Sequence, residues 1–307
     1  MGLTQLEASK SIREPDRLFV IQELADDPLL AVIPFDDIDG MGVEYQVESD
    51  YPSVAFRGLN ETVDSSYGIV NPQYERLSFL LSVADVDKAT LDTQGDREIV
   101  KQISMHARAM RFKYVDNFIN GDRSIDTRAF DGLRVRINVG SSQAVNAGTA
   151  ALSLQLLDEL IDQVDASGGE KYLIMNKKMR RRLNTASRAQ GVSGFMGHTM
   201  DRFGRRVEAY QDIPIICTDT NAENQPIIGF NEASSTTSIY CVAFGDQLTT
   251  GIQGRAFGNF GPAVEQLGLI SEAPVDRTRL HWYAGMAIYN GRSAARIYGV
   301  TDAAITA

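Results

Sequence analysis

The chain has 307 residues, 43% hydrophobic and 23% charged, with a formal net charge of −10. That length supports one large domain or two ordinary ones with a sizeable core, and the balance is that of a soluble globular protein. It excludes a helical membrane protein, because no apolar run approaches the roughly 18 residues a span needs. It also excludes a disulfide-framed domain, because Cys217 and Cys241 are the only cysteines.

The N-terminal stretch MGLTQLEASKSIREPDRL is too polar for a signal-peptide core. The opening Met-Gly is followed by Leu6 where a myristoylation signal needs Ser or Thr. These features suggest a soluble protein of a cytosol-like space, with both cysteines as small buried hydrophobes. Charge is uneven. Residues 1–50 carry twelve acids and three bases, whereas residues 171–200 carry seven bases and no acid. Such asymmetry suits contact with other copies of the chain or with a polyanion.

In chain order, residues 1–41 read as an arm. Leu18, Ile21 and Leu24 stand at helical spacing after Glu14-Pro15, and Pro28 ends the segment. Leu29, Leu30, Val32 and Ile33 then make it apolar enough to dock on something. Residues 42–83 read as a long hairpin. Val43, Tyr45 and Val47 alternate on the way out, Leu77, Phe79, Leu81 and Val83 on the return, around a polar connection holding Pro52 and Pro72. A connection of that length is usually functional, and a projecting hairpin exposes apolar edge that calls for a partner.

From Arg97 to Ile119 there is neither Gly nor Pro. Ile99, Ile103, Ala107, Met110, Tyr114 and Phe118 mark one face of a helix about 35 Å long, with Asp96 as N-cap and Gly121 as the C′ residue. From 136 to 254 short strands alternate with helices. Ser153 caps a helix bearing Leu156, Leu157, Leu160, Ile161 and Val164, and Tyr172–Met175 is a buried strand. Lys177–Leu183 is a basic helix, GVSGFMG (191–197) a loop, and Ile215–Cys217 and Ser238–Phe244 are further strands. This alternation predicts a compact α+β or α/β subdomain. The chain closes on HWYAGMAIYNGRSAARIYGV (281–300), where two alternating runs flank Asn290-Gly291, the pattern of a hairpin. Trp282, Ala284, Met286 and Ile288 share its apolar face.

Enzyme signatures are thin. His106, His198 and His281 lie in different elements, which leaves little for a metal site or a nucleophile–base pair. The glycine-rich loop lacks a following Gly-Lys-Ser/Thr, so it reads as a mobile loop and not a phosphate cradle. Carboxylate pairs such as Asp85/Asp87 and Asp158/Glu159 read as solvated faces. No catalytic residue, cofactor or metal is expected. In the basic helix, Lys178, Arg181 and Arg182 can share a face. They are read as contacts to acidic patches on a neighbouring copy, with nonspecific phosphate contact and plain solvated charge as alternatives.

Three stretches, taken in order, resemble the major capsid proteins of tailed bacteriophages, the fold named after a Hong Kong phage (HK-ninety-seven-like). DNFINGDRSIDTRAFDGL (116–133) is similar to the end of that family's spine helix and the re-entry that follows. VEAYQDIPIICTD (207–219) is similar to its axial strand–turn–Pro-Ile element, and HWYAGMAIYNGRSAARIYGV to its closing peripheral strands. The resemblance covers roughly residues 15–300 and implies an α+β fold. Its parts would be an N-terminal arm (1–41), an extended loop (42–83), a peripheral domain with the spine helix (84–135 and 255–307) and an axial α/β domain (136–254).

The resemblance further implies assembly of the chain with itself into pentamers and hexamers that close an icosahedral head around double-stranded DNA. It implies a virion protein assembled in the host cytoplasm, touching DNA nonspecifically, with scaffolding, portal or decoration proteins as further partners and no membrane. Arg57, Gly58 and Leu59 at the loop tip would touch a neighbouring subunit, whose peripheral domain the loop overlies. The face bearing Trp282 would pack on the spine helix. Some family members weld subunits through a lysine in the extended loop. Residues 42–83 contain none, so no such chemistry is carried over. With about 40 residues before the hairpin, scaffolding is expected as a separate protein, already cleaved, or absent. The alternatives are an encapsulin-type nanocompartment shell, marked by a cargo groove lined by the N-terminal region, and a soluble enzyme with its site between the long helix and residues 136–254.

Overall fold

A computed structural model describes residues 3–5, 15–50, 52–95, 97–189, 196–200, 206–218 and 220–305. The N-cap expected at Asp96, Leu6, and most of the glycine-rich loop (191–195) lie outside the described residues. The long helix, α3 (Arg97–Asn120), follows α1 (Pro15–Ala25) and the short α2 (Lys88–Gln94). It buries Ile103, Ala107, Met110, Tyr114, Val115, Phe118 and Ile119, the stripe its 3.6-residue period dictates.

The helix ends for a reason other than the left-handed cap expected of Gly121, whose φ is not positive. A Cβ on Gly121 would lie 2.4 Å from the carbonyl oxygens of both Asn117 and Phe130. The returning chain presses against the last turn there, and the Gly132 N–H donates to the Gly121 carbonyl at 2.8 Å. Glycine is required by close approach of backbones, not by handedness.

Two sheet lobes share one strand network. In the first, β1 (Leu3–Thr4), β2 (Pro34–Ile38), β12 (Thr249–Ala256), β15 (Val275–Ile288) and β5 (Ser78–Asp87) lie side by side, with β13 (Asn259–Phe260) also along β12 and β14 (Ala263–Leu269) also along β15. In the second, β16 (Ala294–Val300), β11 (Thr237–Phe244), β7 (Glu170–Met175), β10 (Ile213–Cys217), β9 (Arg206–Tyr210) and β8 (Met196–Met200) follow in order, with β6 (Ala144–Asn146) outside β16. Every residue of β11 is buried because opposite faces of the strand serve two cores. Tyr240 and Val242 join the spine-helix core, while Ile239, Cys241 and Ala243 join the core under α5 (Leu154–Gln163) and α6 (Lys177–Ala189). A strand covered on both faces loses its alternation. Ser153 caps α5 as expected, its Oγ accepting from Leu156 N–H.

The closing hairpin does not form. The strands flanking Asn290-Gly291 do not pair with each other: β15 pairs with β12, β14 and β5, and β16 with β11 and β6. A two-residue hairpin turn of type I′ needs positive φ at both central residues, and neither Asn290 nor Gly291 has it. Instead, Ser293 N–H donates to the Asn290 carbonyl and Arg292 N–H to Asn290 Oδ1, both at 2.9 Å. That turn lets one long strand step from the first lobe to the second beside the matching step at 245–248.

The apolar face is covered as expected. Trp282 is fully buried, its ring centroid 4.6 Å from that of Tyr114 on α3 and 5.8 Å from that of Phe35 on the arm strand β2. Arm residues Val20, Leu24, Leu29, Leu30 and Ile33 complete this core, with Glu23 bound by Arg108 (2.9 Å) and Ser104 (3.0 Å) of α3.

The extended segment also differs from its reading. β3 (Gly42–Asp50) pairs with β4 (Ile69–Arg76), not with the 77–83 run. That run belongs to β5, which pairs with β15 over 78–87. Both runs alternate, and alternation cannot say which strand each one meets.

Candidate assembly surface

β3 and β4 form a two-stranded ribbon outside the main sheet. Val43, Tyr45 and Val47 turn their half-buried side toward the body, as the alternation requires. The ribbon is fixed at its root. Arg136, on the one-turn α4 (Leu133–Arg136), grips Glu75 through Nη1–Oε1 at 2.5 Å and Nη2–Oε2 at 2.8 Å. It also donates to the carbonyls of Asp131 (2.8 Å) and Met286 (3.2 Å). Burial alone would lower the Arg136 pKa; the hydrogen bonds and charge of Glu75 outweigh it and the net shift is upward. Tyr45 packs edge-on against Tyr289 at 4.8 Å, and burial, helped by the Glu75 charge, raises its pKa.

Beyond the root the ribbon touches little. Every residue from 52 to 74 is exposed, including Phe56, Leu59 and Val54 at 108%, 98% and 94%. The tip nevertheless has a shape: Gly58 N–H donates to Glu61 Oε2 at 2.7 Å and Arg57 Nη1 to the Glu61 carbonyl at 3.4 Å. Arg57, Gly58 and Leu59 all lie on this tip. Contiguous exposed apolar surface of this kind marks an interaction site.

A second apolar surface lies on the first lobe. β5 has its inner face on α3, where Ser82 Oγ lies 2.6 Å from His106 Nδ1. Its outer face shows Phe79, Leu81 and Val83, all exposed. Opposite them on β15 stand Tyr283, His281 and Arg279, with Phe79 and Tyr283 edge-on at 5.0 Å. The stripe ends in the Arg277–Asp85 pair at 2.6 Å, in which the guanidinium holds the Asp85 carboxyl below the usual range.

The basic helix is longer than its sequence suggested and partly occupied. Lys178 and Arg182, four residues apart on one face, both reach Asp302 near the end of the chain, at 3.7 and 3.0 Å. Arg180 reaches Glu208 at 3.6 Å. Arg181 is exposed and has no ion-pair partner among the described residues. A groove of about 860 Å³ runs between the arm and the second lobe, lined by Pro28, Ala31 and Val32 on one side and by Tyr172, Arg206 and Ile216 on the other.

No group of three metal-ligating side chains occurs among the described residues. The histidines stay apart: His106 meets Ser82, His281 meets Glu265 at 3.2 Å, and His198 is exposed on β8. Sequence reasoning missed the Arg136–Glu75 root and the outer face of β5. Both depend on which strand each alternating run joins.

The model of the family "major capsid protein GP7" matches residues 26–154, which run from just after the arm helix through the ribbon and the spine helix to the first residue of α5. No curated protein matches. The holo-SrpI encapsulin complex of Synechococcus elongatus is similar with TM-score 0.68 and 17% identity over 91% of this chain and 89% of that one. The capsid of a native GTA particle gives 0.60 and 14% over 94% and 92%. A chain of Mycobacterium phage Adephagia gives 0.60 and 10% over 92% and 90%. At these identities the structural likeness establishes the fold.

Proposed function

We propose that the chain is a capsid-forming structural protein, a major capsid protein with the HK-ninety-seven-like fold, a reading supported by the family-model match over residues 26–154 and by the fold it shares with phage-type capsid chains. It assembles with itself into pentamers and hexamers that close an icosahedral phage head around double-stranded DNA. The arm is residues 1–41, the extended loop lies within 42–83, the peripheral domain is 84–135 with 255–307, and the axial domain is 136–254. The extended loop crosses onto the neighbour's peripheral sheet, so that Arg57, Gly58 and Leu59 meet another subunit. The observation that carries this reading is the ribbon itself: every residue from 52 to 74 is exposed, Val54, Phe56 and Leu59 among them, and the ribbon is held to its own body at the root.

A noncovalent shell of this kind rests on many interfaces, each of standard size burying about 1,600 Å². Arg181, with Lys178 and Arg182 beside it, supplies contact to a neighbour or to DNA phosphates. Scaffolding, portal or decoration proteins would act during assembly in the host cytoplasm, before the chain resides in the virion. Deleting residues 52–66 tests the reading: a folded subunit that no longer closes a shell is expected, and monodisperse closed particles from that variant would overturn the loop assignment.

A second reading, an encapsulin-type shell, is favoured by one specific feature: the groove lined by the arm residues Pro28, Ala31 and Val32. The contents of purified particles separate the two. Double-stranded DNA supports the phage head; a co-purifying enzyme that depends on these three residues supports the compartment.

A further inference from the structure

The chain contains two Asn-Gly pairs, Asn120-Gly121 and Asn290-Gly291. Asparagine is among the thermolabile residues, and glycine after it opens the way to self-modification. The glycine amide nitrogen can attack the asparagine side-chain carbonyl carbon, and without a Cβ that nitrogen is unshielded. The fold treats the two pairs in opposite ways.

Asn120 is the last residue of α3, and its side-chain amide is held: Nδ2 donates to Asp116 Oδ1 at 3.0 Å and to the Ile227 carbonyl at 2.8 Å. Gly121 is buried, and its N–H donates to the Asn117 carbonyl at 2.9 Å. Reaction there requires unwinding the helix end. Asn290-Gly291 is the reverse. Gly291 is exposed, and a Cβ built on it would meet nothing within 4 Å. Among the described residues neither its N–H nor Asn290 Nδ2 has a hydrogen-bond partner. Asn290 Oδ1, in contrast, accepts from Arg292 N–H at 2.9 Å. That donor sits where negative charge develops when a nucleophile adds to Cγ, the role of an oxyanion-hole N–H.

We propose that Asn290-Gly291 is a site of spontaneous modification, at which asparagine converts to aspartate and isoaspartate while the fold protects Asn120-Gly121. The Gly291 nitrogen gives its proton to hydroxide and bonds to Asn290 Cγ. The Cγ–Nδ2 bond then breaks, and Nδ2 takes up a proton from water and leaves as ammonia. Water adds to the resulting five-membered imide. Opening at Cγ gives aspartate; opening at the main-chain carbonyl gives isoaspartate, in which the chain runs through Cβ and Cγ. One water is consumed and one ammonia released, with no oxidant or other reactant.

The site lies where the chain steps from the first lobe to the second. The Asn290 carbonyl accepts from Ser293 Oγ at 2.7 Å, and that hydroxyl meets Thr249 Oγ1 of β12 at 2.8 Å in the interior. The Arg292 carbonyl accepts from Asp165 N–H at 2.9 Å and the Ser293 carbonyl from Ala243 N–H of β11 at 2.7 Å. An extra main-chain carbon therefore disturbs a turn fixed to both lobes, whereas aspartate keeps the Oδ1 acceptor and leaves the turn intact. None of this depends on how copies assemble.

The test incubates the full-length chain in mildly alkaline buffer at body temperature and follows both pairs by peptide-mapping mass spectrometry. The Asn290 peptide should gain one dalton at least tenfold faster than the Asn120 peptide, and part of the product should accept methyl groups from an isoaspartyl methyltransferase. In the urea-unfolded chain the two rates should agree within threefold. Equal rates in the folded chain, or an undiminished difference in the unfolded one, overturn the proposal. Gly291→Ala, for which the structure leaves room, should keep the melting temperature and slow the reaction at Asn290 at least tenfold; an unchanged rate also overturns it. The isoaspartyl fraction should melt below the fresh chain, and Asn290→Asp should melt with it at the fresh chain's temperature. An Asn290→Asp variant as destabilised as the aged fraction would overturn the part assigned to the lengthened main chain.

Discussion

Replacing Arg136 by Met keeps the aliphatic stem and removes the charge that holds the ribbon's root. Four hydrogen bonds go with it, two to the Glu75 carboxylate and one each to the Asp131 and Met286 carbonyls. Breaking a fully buried pair by removing one partner costs about 3–5 kcal/mol. Here the two side chains retain 15% and 14% exposure, so water reaches the abandoned carboxylate and about 2–3 kcal/mol is the reasonable figure. Amide hydrogen exchange measures it directly. The ladder amides of β3 and β4 nearest the root should exchange roughly 30- to 150-fold faster, because about 1.4 kcal/mol is a factor of ten.

Glu75→Gln should give part of the effect, and the double variant should fall well short of the sum of the singles, since both remove one interaction. The mechanical consequence scales with the lever. The ribbon is paired over eight positions, so at about 3.3 Å per residue the far end of its ladder lies ~27 Å from the root, and a tilt of about 10° displaces that end by about 5 Å, enough to miss a specific contact. Particles from Arg136→Met should accordingly be fewer and more varied in diameter by negative-stain microscopy. Root amides that exchange less than threefold faster, or effects of the two single variants that simply add, would refute the argument that this pair sets the ribbon.

Gly121→Ala should destabilise by more than about 2 kcal/mol, since the new methyl meets two backbone oxygens that cannot rotate away; thermal unfolding reads this. Trp282→Ala should cost about 3–5 kcal/mol. Trp282→Phe should cost well under half of that in denaturant titration, because it also removes an indole N–H without a partner among the described residues. Two carboxylates of the arm respond oppositely to acid. Glu23, whose pKa the Arg108 hydrogen bond lowers, stabilises the folded state above its ordinary value, and that contribution is lost as pH falls through the lowered one. Asp36, whose pKa burial raises, costs stability near neutrality. Asp36→Asn should therefore stabilise at pH 7 with the gain vanishing in acid, while exchange of residues 15–25 speeds up in acid through Glu23. Arg181→Ala should leave the melting temperature unchanged and reduce assembly yield or retained DNA, whereas Asp302→Asn should expose the segment that Lys178 and Arg182 hold.

Several elements could be read from the chain because their determinants are local. The spine helix needs only a 3.6-residue apolar period and an uninterrupted run, and Ile103, Ala107, Met110, Tyr114 and Phe118 are buried as that period requires. Ser153 announces its helix by a hydroxyl three residues before the N–H it caps. The apolar face of Trp282, Ala284 and Met286 follows from alternation. The partner of each strand does not, because pairing is a contact between residues far apart in sequence, and any alternating run satisfies several registers. Asn290-Gly291 bends a strand from one lobe to the other, and Phe79, Leu81 and Val83 line an outer sheet face instead of the ribbon. Lys178 and Arg182 spend their charge on Asp302, leaving Arg181 exposed. Local periodicity determined which faces are apolar; only the tertiary structure decided which of those faces the chain covers itself and which it leaves exposed, because burial depends on contacts between residues far apart in sequence.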